Sequence, residues 1–517
     1  MRRLGGLGVL LAIGALGVGS AERASGAAAS HRQACDLGRV SAADARIESG
    51  VIAQARSKFE RSLSGTPSRA RAAAGARFVT DLAAYLYGYP IVIVRRTTLT
   101  FPRNQIVSIG KLADTSTQSI VAPNHDTLYS VAQVNLANGP VVIHTPPTGG
   151  RYSIIQLIDG FTNVSAYLGD GAAARTGETA AVVPPGWHGQ LPAGLRVVRP
   201  ATKLVWLLGR TLATGPADTA AATGLLARYS LTPLAAYVAG TRTAPLILSA
   251  FPKRTPVTVP TNPTFFDELG SDLAADPAPA RDRCAIRAFA NAGIGAGKTP
   301  STTLTGLSAR ALAAAAGAGR GVLHAIVEGV RHQPAQMINR WATTPPDTAR
   351  FATHYLDRAV VAAIGLGANT NANALYLTED RDSTRRALTG RHVYRVRFAP
   401  GRLPPVSAFW SLTLYNQHIL FYPNRLNRYA IGDRTSSLKR DRNGGLTIIV
   451  SHRAPAPAQR SNWLPAPAGQ FSLYLRLFEP ERAVLARKWL PPSIVRIHSP
   501  GSRPAVDAVL STDAPCS

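Results

Sequence analysis

Asn124, His125 and Asp126 stand in a row within "VAPNHDTLYS" (121–130), and together they are the residue types of an orienting amide, a general base and a carboxylate. General acid–base chemistry needs such groups within hydrogen-bond reach of one another and of a substrate proton. The same stretch also reads as a turn. Pro123 holds the residue before it extended, and Asn and Asp side chains suit an Asx turn that opens a strand at Thr127. Adjacent residues on an extended chain point to opposite faces, which makes a direct His125–Asp126 pair awkward and moves the weight to Asn124 and Asp126. Tyr129, within the strand that follows, is a candidate binding aromatic.

A second group of candidates lies in the last third. "FWSLTLYN" places Trp410 and Tyr415 on opposite faces of a strand, so one set of aromatics faces away from the core. Such a Trp either fills a sandwich core or offers a stacking surface for a sugar or aromatic ligand. "PNRLNRYAIGDRT" crowds Asn424, Arg428, Asp433 and Arg434 into one loop, and "RSNWLPAPAG" adds Asn462 and Trp463. Arg428 has the planar fork that clamps a carboxylate or phosphate. It could equally pin a long connection, and long polar loops on rigid sandwiches are common binding sites.

Familiar catalytic signatures are missing from the sequence: no nucleophile elbow, no paired-histidine zinc helix and no dinucleotide turn after a strand. "GIGAGKT" (293–299) is one residue short of a phosphate loop and is followed by Pro300 where a helix should run. No cofactor and no metal are therefore expected. Three widely spaced cysteines, Cys35, Cys284 and Cys516, allow one disulfide with one thiol left over, and spacing does not say which pair closes.

The elements that must position these residues follow from composition and pattern. At 517 residues, with 45% hydrophobic and 17% charged residues, the chain exceeds one core and divides into two or three packed units. The start combines a basic Met-Arg-Arg, an apolar stretch from Leu4 to Val18, and small residues Gly19 and Ala21. That is a secretory signal, too short and Gly-rich for a membrane span of about 20 residues. We expect a signal peptide at 1–21, a flexible segment at 22–50, and a helix plus β-sandwich over 51–235. A mostly helical linker at 236–380, a second sandwich at 381–500 and a tail at 501–517 complete the chain.

The first helical run should stop at Gly88 and Pro90. "PVVIHTP", "RYSIIQLID" and "LVWLLGRT" read as strands of the first sandwich. "HVYRVRF" and "FSLYLRLF" read as half-buried strands of the second, the latter with Phe471, Leu473, Leu475 and Leu477 inward. The fold class expected is α+β and β-rich, with two antiparallel, jelly-roll-like β-sandwich domains and a helical middle region. The charge is +28, from 57 basic and 29 acidic residues, but Lys occurs only seven times and no basic run is interleaved with aromatics. Nucleic acid is not the expected partner, because stacking platforms need that interleaving.

Several long strings also carry a resemblance. "AYLYGYP", "PNHDTLYS", "GPVVIHTPPTGGRYSIIQLIDGFTNV" and "LVWLLGRT" resemble the family called domain of unknown function 1254. "LPPVSAFWSLTLYN", "NRLNRYAIGDRT", "SNWLPAPAGQFSLYLRLFEP" and "WLPPSIVRI" resemble domain of unknown function 1214. The resemblance implies a secreted or envelope-associated two-sandwich protein, often oligomeric, with no established reaction. It also implies that the Asn and Asp at 124 and 126 recur while position 125 varies.

Two functions stay open. One is a binding or assembly module of the cell envelope, single or as a homo-oligomer, holding a small ligand or envelope component in its C-terminal loops or between the sandwiches. The other is a metal-independent hydrolase or isomerase of a small polar substrate, with Asn124, Asp126 and Arg428 converging in one cleft. Convergence with an unpaired Asp126 would favour the enzyme; separate placement, or saturation by hydrogen bonds, would remove its site.

Overall fold

The computed structural model describes residues 42–497 apart from 118–121, 254, 332, 334 and 335. The expected signal peptide, most of the following tether and the tail lie outside the described residues, as do Cys35 and Cys516. Cys284 is disulfide-bonded. No helix among the described residues is long and apolar enough to cross a membrane.

The protein mixes helices with four open sheets. In the N-terminal half, a six-stranded sheet has the spatial order Leu246–Leu248, Val107–Ile109, Thr127–Asn135, Leu204–Leu212, Ser153–Asp159 and Val164–Leu168. A four-stranded sheet, Arg196–Val198, Glu178–Val182, Val141–Thr145 and Ser230–Pro233, lies against it. Leu128, Val134, Ile143, Leu157, Val182 and Leu207 fill the core between the two. The C-terminal half repeats this plan. Its six strands are Met337–Ile338, Trp341–Thr343, Ala374–Glu379, Phe471–Pro480, Val406–Asn416 and Ala430–Gly432. Its four-stranded sheet is Trp463–Pro465, Leu446–Ser451, Val393–Phe398 and Ile494–Ile497. Leu377, Val396, Trp410, Leu412, Ile448 and Leu475 make that core.

The central ladders are antiparallel, as the alternating patterns predict, but three edge pairs are parallel: Val107–Ile109 with Leu246–Leu248, Glu178–Val182 with Arg196–Val198, and Leu446–Ser451 with Trp463–Pro465. The strands also cross the expected segment boundaries. Leu246–Leu248 joins the N-terminal sheet, and three strands between Met337 and Glu379 join the C-terminal one, all from the stretch read as helical linker.

A further difference concerns exposure. "HVYRVRF" is half-buried, alternating buried Tyr394, Val396 and Phe398 with exposed Arg395 and Arg397. "FSLYLRLF" is not. Its second face, including Arg476 and Phe478, is buried too, because the two six-stranded sheets pack face to face. Tyr129, Ile154, Trp206 and Leu208 from the N-terminal sheet meet Ala374, Phe409 and Phe478 from the C-terminal one. Phe409 and Phe478 stack at 4.1 Å, and Tyr152 meets both edge-on.

The helices form one body of their own. Ala42–Arg61 and Ser68–Thr98 pack with Thr264–Ala275, Arg283–Asn291, Gly306–Val330 and Tyr355–Gly365 around Phe78, Leu82, Tyr85, Phe265, Leu269 and Leu323. The N-terminal helices thus join the middle helices, and the last turns of Ser68–Thr98, at Val94, also reach the N-terminal sheet. Ser68–Thr98 does not stop at Gly88 or Pro90 but runs on to Thr98. A proline inside a helix removes one backbone hydrogen bond, and here packing of both flanking turns, from Tyr85 and Tyr87 to Val92 and Val94, outweighs that local loss. The body is tied by Asp282, which accepts hydrogen bonds from Tyr87 at 2.8 Å and Tyr355 at 2.9 Å, with the buried Arg358 guanidinium over the Tyr87 ring.

Helix Gly306–Val330 approaches Ser68–Thr98 closely at Gly319. A methyl group there would sit 2.4 Å from the Tyr85 ring, which is itself pressed against Phe265 at 4.3 Å. A Gly-to-Ala change in a helix interior normally gains about 1 kcal/mol, whereas overpacking against a ring that cannot move costs roughly 1–3 kcal/mol. Gly319→Ala should therefore lower the urea midpoint, while Gly321→Ala on the same helix, with nothing within 4 Å, should raise it. Equal shifts of one sign would contradict the packing described.

Candidate functional site

Strand parity builds the site. On Thr127–Asn135 the even positions face the N-terminal core and Tyr129 and Val131 face the other sheet; on Leu204–Leu212 the second face carries Trp206, Leu208 and Arg210. Across the seam, Val406–Asn416 turns Phe409, Ser411, Thr413 and Tyr415 toward the N-terminal sheet, and Phe471–Pro480 turns Tyr474, Arg476 and Phe478 the same way. Ser411 pairs with Arg476, and Arg476 pairs with Tyr376 on the next strand, so the polar groups lie in adjoining rows.

Into this seam projects the Asn-His-Asp turn. Asn124 Oδ1 accepts from the Asp126 amide at 2.6 Å and its Nδ2 donates to Thr127 Oγ1 at 3.2 Å, an Asx turn of the kind the sequence suggests. The Asn124 amide donates to the Tyr129 hydroxyl at 3.1 Å. His125 points the other way. Its Nδ1 lies 2.5 Å from the Ala113 carbonyl oxygen, and its ring meets Tyr429 and Phe421 edge-on. His125 and Asp126 therefore do not pair.

Asp126 crosses the seam instead. Only 6% exposed, its carboxylate accepts from the Ser411 hydroxyl at 2.6 Å and from Arg434 Nη2 at 2.8 Å, and Arg434 lies 3.9 Å over the Phe409 ring. Tyr415 donates to the Pro123 carbonyl at 2.5 Å. Arg476 Nη2 donates to the Ala122 carbonyl at 3.0 Å and to the Tyr415 oxygen at 2.8 Å. Burial pushes the Tyr415 phenol above its ordinary value, which keeps it a donor. Residues 122–126 are thus gripped by four side chains of the C-terminal sandwich.

Two guanidiniums in the seam have no carboxylate of their own. Arg210 is spent on Gln156 Oε1 at 2.6 Å, the Gly367 carbonyl at 2.7 Å and Asn369 Oδ1 at 3.3 Å. Arg476 is 3% exposed, and its Nη1 has no hydrogen-bond partner among the described residues; Thr413 Oγ1 is likewise buried and unpartnered there. Burial pulls the Arg476 pKa down, but Tyr415, Asp126 and Tyr376 around it more than offset that, so it stays charged.

The C-terminal loop residues sit apart from this group. Arg428 Nη1 donates to the carbonyls of Arg460, Ser461 and Trp463, all at 3.0–3.1 Å, and none of its hydrogen bonds reaches Asn124, His125 or Asp126. Asn424 closes its own loop through the Arg428 amide and carbonyl, and Asn462 spans the Lys439 amide and carbonyl and the Thr447 carbonyl. Trp463 Nε1 donates to the Ser451 carbonyl at 3.0 Å. Trp410 is 2% exposed in the C-terminal core beside Phe398, and Tyr415 is in the seam. Sequence reading passed over Ser411, Arg210 and Arg476. The signal for Arg476 is its place in "FSLYLRLF", an arginine on the face opposite the leucines of a strand this apolar.

Among the described residues, Asp347, His354 and Asp357 bring possible ligand atoms within 4.8 Å of one another. His354 Nδ1 is already hydrogen-bonded to Asp347, so the group is an Asp–His pair beside a second carboxylate, and no metal is assigned to it.

If the turn is a latch, its carboxylate matters more than its imidazole. Asp126→Asn removes the charge that Arg434 and Ser411 meet in the seam and leaves Arg434 with Asp433 alone, at 3.2 Å, a change that costs about 2 kcal/mol. His125→Ala removes one half-buried hydrogen bond, about 1 kcal/mol. Denaturant melts of the two variants should rank in that order, and the reverse ranking would overturn the latch.

Residues 103–233 match the family described as protein of unknown function (DUF1254), and residues 373–482 match protein of unknown function (DUF1214). A search of curated proteins finds no match. Among solved structures, the chain is similar to the crystal structure of the VPA0106 protein from Vibrio parahaemolyticus, over 82% of this chain and 100% of that one, with a TM-score of 0.60 and 24% identity, a likeness of fold. It also matches an uncharacterized protein from Burkholderia cenocepacia over 88% of this chain and 96% of that one, with a TM-score of 0.40 and 13% identity. The first family region coincides with all but one strand of the N-terminal sandwich and the second with all but three strands of the C-terminal one, so the chain carries a DUF1254 region followed by a DUF1214 region.

Proposed function

We propose that this is an exported, envelope-associated ligand-binding module, built on two jelly-roll-like sandwiches, that holds a small anion in the seam between them. The observation that carries this reading is the charge imbalance of the seam: Arg210, Arg434 and Arg476 meet two carboxylates, Asp126 and Asp433, both spent on Arg434, and among the described residues Arg476 Nη1 is buried without a hydrogen-bond partner. A buried, unpaired charge is costly. An anion against Arg476, Thr413 and the Tyr129 and Tyr376 side of the seam would offset that cost.

The enzyme reading has less support. Asp126, its candidate acid or base, is engaged by Ser411 and Arg434, and Arg428 is held by backbone carbonyls elsewhere. A carboxylate whose two oxygens already accept from a cation and a hydroxyl is not aimed at a substrate proton. Export rests on the basic and apolar start of the sequence.

Thermal unfolding in phosphate or oxalate, against chloride at equal ionic strength, tests the proposal. A specific ligand at a hundredfold its Kd adds about 2.7 kcal/mol of stability. Arg476→Met should fold, since an apolar replacement of a buried cation is often tolerated, and should lose the oxyanion-specific shift. An equal shift in the variant would assign the effect to the general positive charge of the surface and sink the proposal.

A further inference from the structure

The face of the N-terminal sandwich that points away from the seam carries a cleft of about 520 Å³, within the usual range of roughly 300–1,000 Å³ for small-ligand sites. Its floor is set by register. Thr179, His144 and Ser230 are directly paired across three adjacent strands, on the face opposite Val141 and Ile143 of the core. His144 Nδ1 lies 3.0 Å from Thr179 Oγ1.

The walls are cationic. Arg228 precedes the Ser230–Pro233 strand, is exposed, and makes no side-chain hydrogen bond or ion pair to a described residue. Helix Leu234–Val238 brings in Tyr237, whose ring lies 3.7 Å beneath the Arg242 guanidinium. That guanidinium is fixed by Nη1 bonds to the Tyr237 carbonyl at 3.0 Å and the Thr241 carbonyl at 2.7 Å, so its remaining N–H groups are held in place. No Asp or Glu lines the cleft. Burial, then Arg228 and Arg242, hold the His144 imidazole below its ordinary value, which leaves it neutral at pH 7 and able both to donate and to accept.

We propose that this cleft is a second binding site, separate from the seam, for an acidic monosaccharide such as a sugar phosphate or a uronate. The oxyanion lies between Arg228 and Arg242, and the sugar hydroxyls meet the Thr179–His144–Ser230 row. Two guanidiniums without a carboxylate call for an oxyanion. A row of neutral donor–acceptor groups suits hydroxyls, which both give and take hydrogen bonds.

Calorimetric titration of the full chain with glucose 6-phosphate, glucuronate and glucose tests this. One or both acidic sugars should bind at a single site, and which of them does so separates a phosphate-bearing from a carboxylate-bearing ligand. Arg228→Gln and Arg242→Gln, both at exposed positions, should each weaken that binding roughly tenfold. Arg476→Met should leave it unchanged, which separates this site from the seam. The His144 imidazole proton resonance should shift on saturation. Binding of glucose as tight as that of the acidic sugars, no binding of either acidic sugar at millimolar concentration, or affinity unchanged in both arginine variants would each overturn the proposal.

Discussion

Two six-stranded sheets each have two faces to keep from water, and four-stranded sheets cover only one face of each. The face-to-face packing of the large sheets answers that constraint, and most of the architecture follows from it. It turns strands that would be half-exposed in a lone sandwich into strands buried on both sides, as Thr127–Asn135 and Leu204–Leu212 are almost throughout. Tyr129, Tyr152, Trp206, Phe409 and Phe478 supply the apolar part of that contact.

The seam is not purely apolar, and its polar part sets alignment more than strength. A buried ion pair such as Asp126–Arg434 adds little net stability over an apolar pair of equal volume, because both charges lose their water. It does penalise any sliding of one sheet over the other, since a displaced partner leaves a charge buried alone. The Ala122 and Pro123 carbonyls, reached by Arg476 and Tyr415, extend the same constraint to the backbone of the turn. The polar turn at 124–126 and the arginines of the C-terminal strands make sense only as one assembly.

Much of the fold was legible in the sequence. Short apolar or alternating runs bounded by Gly and Pro located the strands Val141–Thr145, Ser153–Asp159 and Leu204–Leu212, a period-two pattern located Phe471–Pro480, and the Asn-His-Asp stretch showed itself as an Asx turn opening a strand. The helix continuing through Pro90 was not legible, because the packing that holds it comes from helices two hundred residues away. The polar C-terminal loops looked like a binding surface, but Asn424, Arg428 and Asn462 meet backbone groups that only the folded loops bring near.

Local chemistry therefore determined which residues turn, which alternate, and that His125 and Asp126 would face apart, since these depend on a few neighbouring torsions. Tertiary structure alone decided what those side chains face. Ser411 and Arg434 lie about three hundred residues from Asp126 in the chain and within 2.8 Å of it in space. Nothing in the spacing of a strand says whether its second face meets water or another sheet, and that choice gave Asp126 and Arg476 their surroundings.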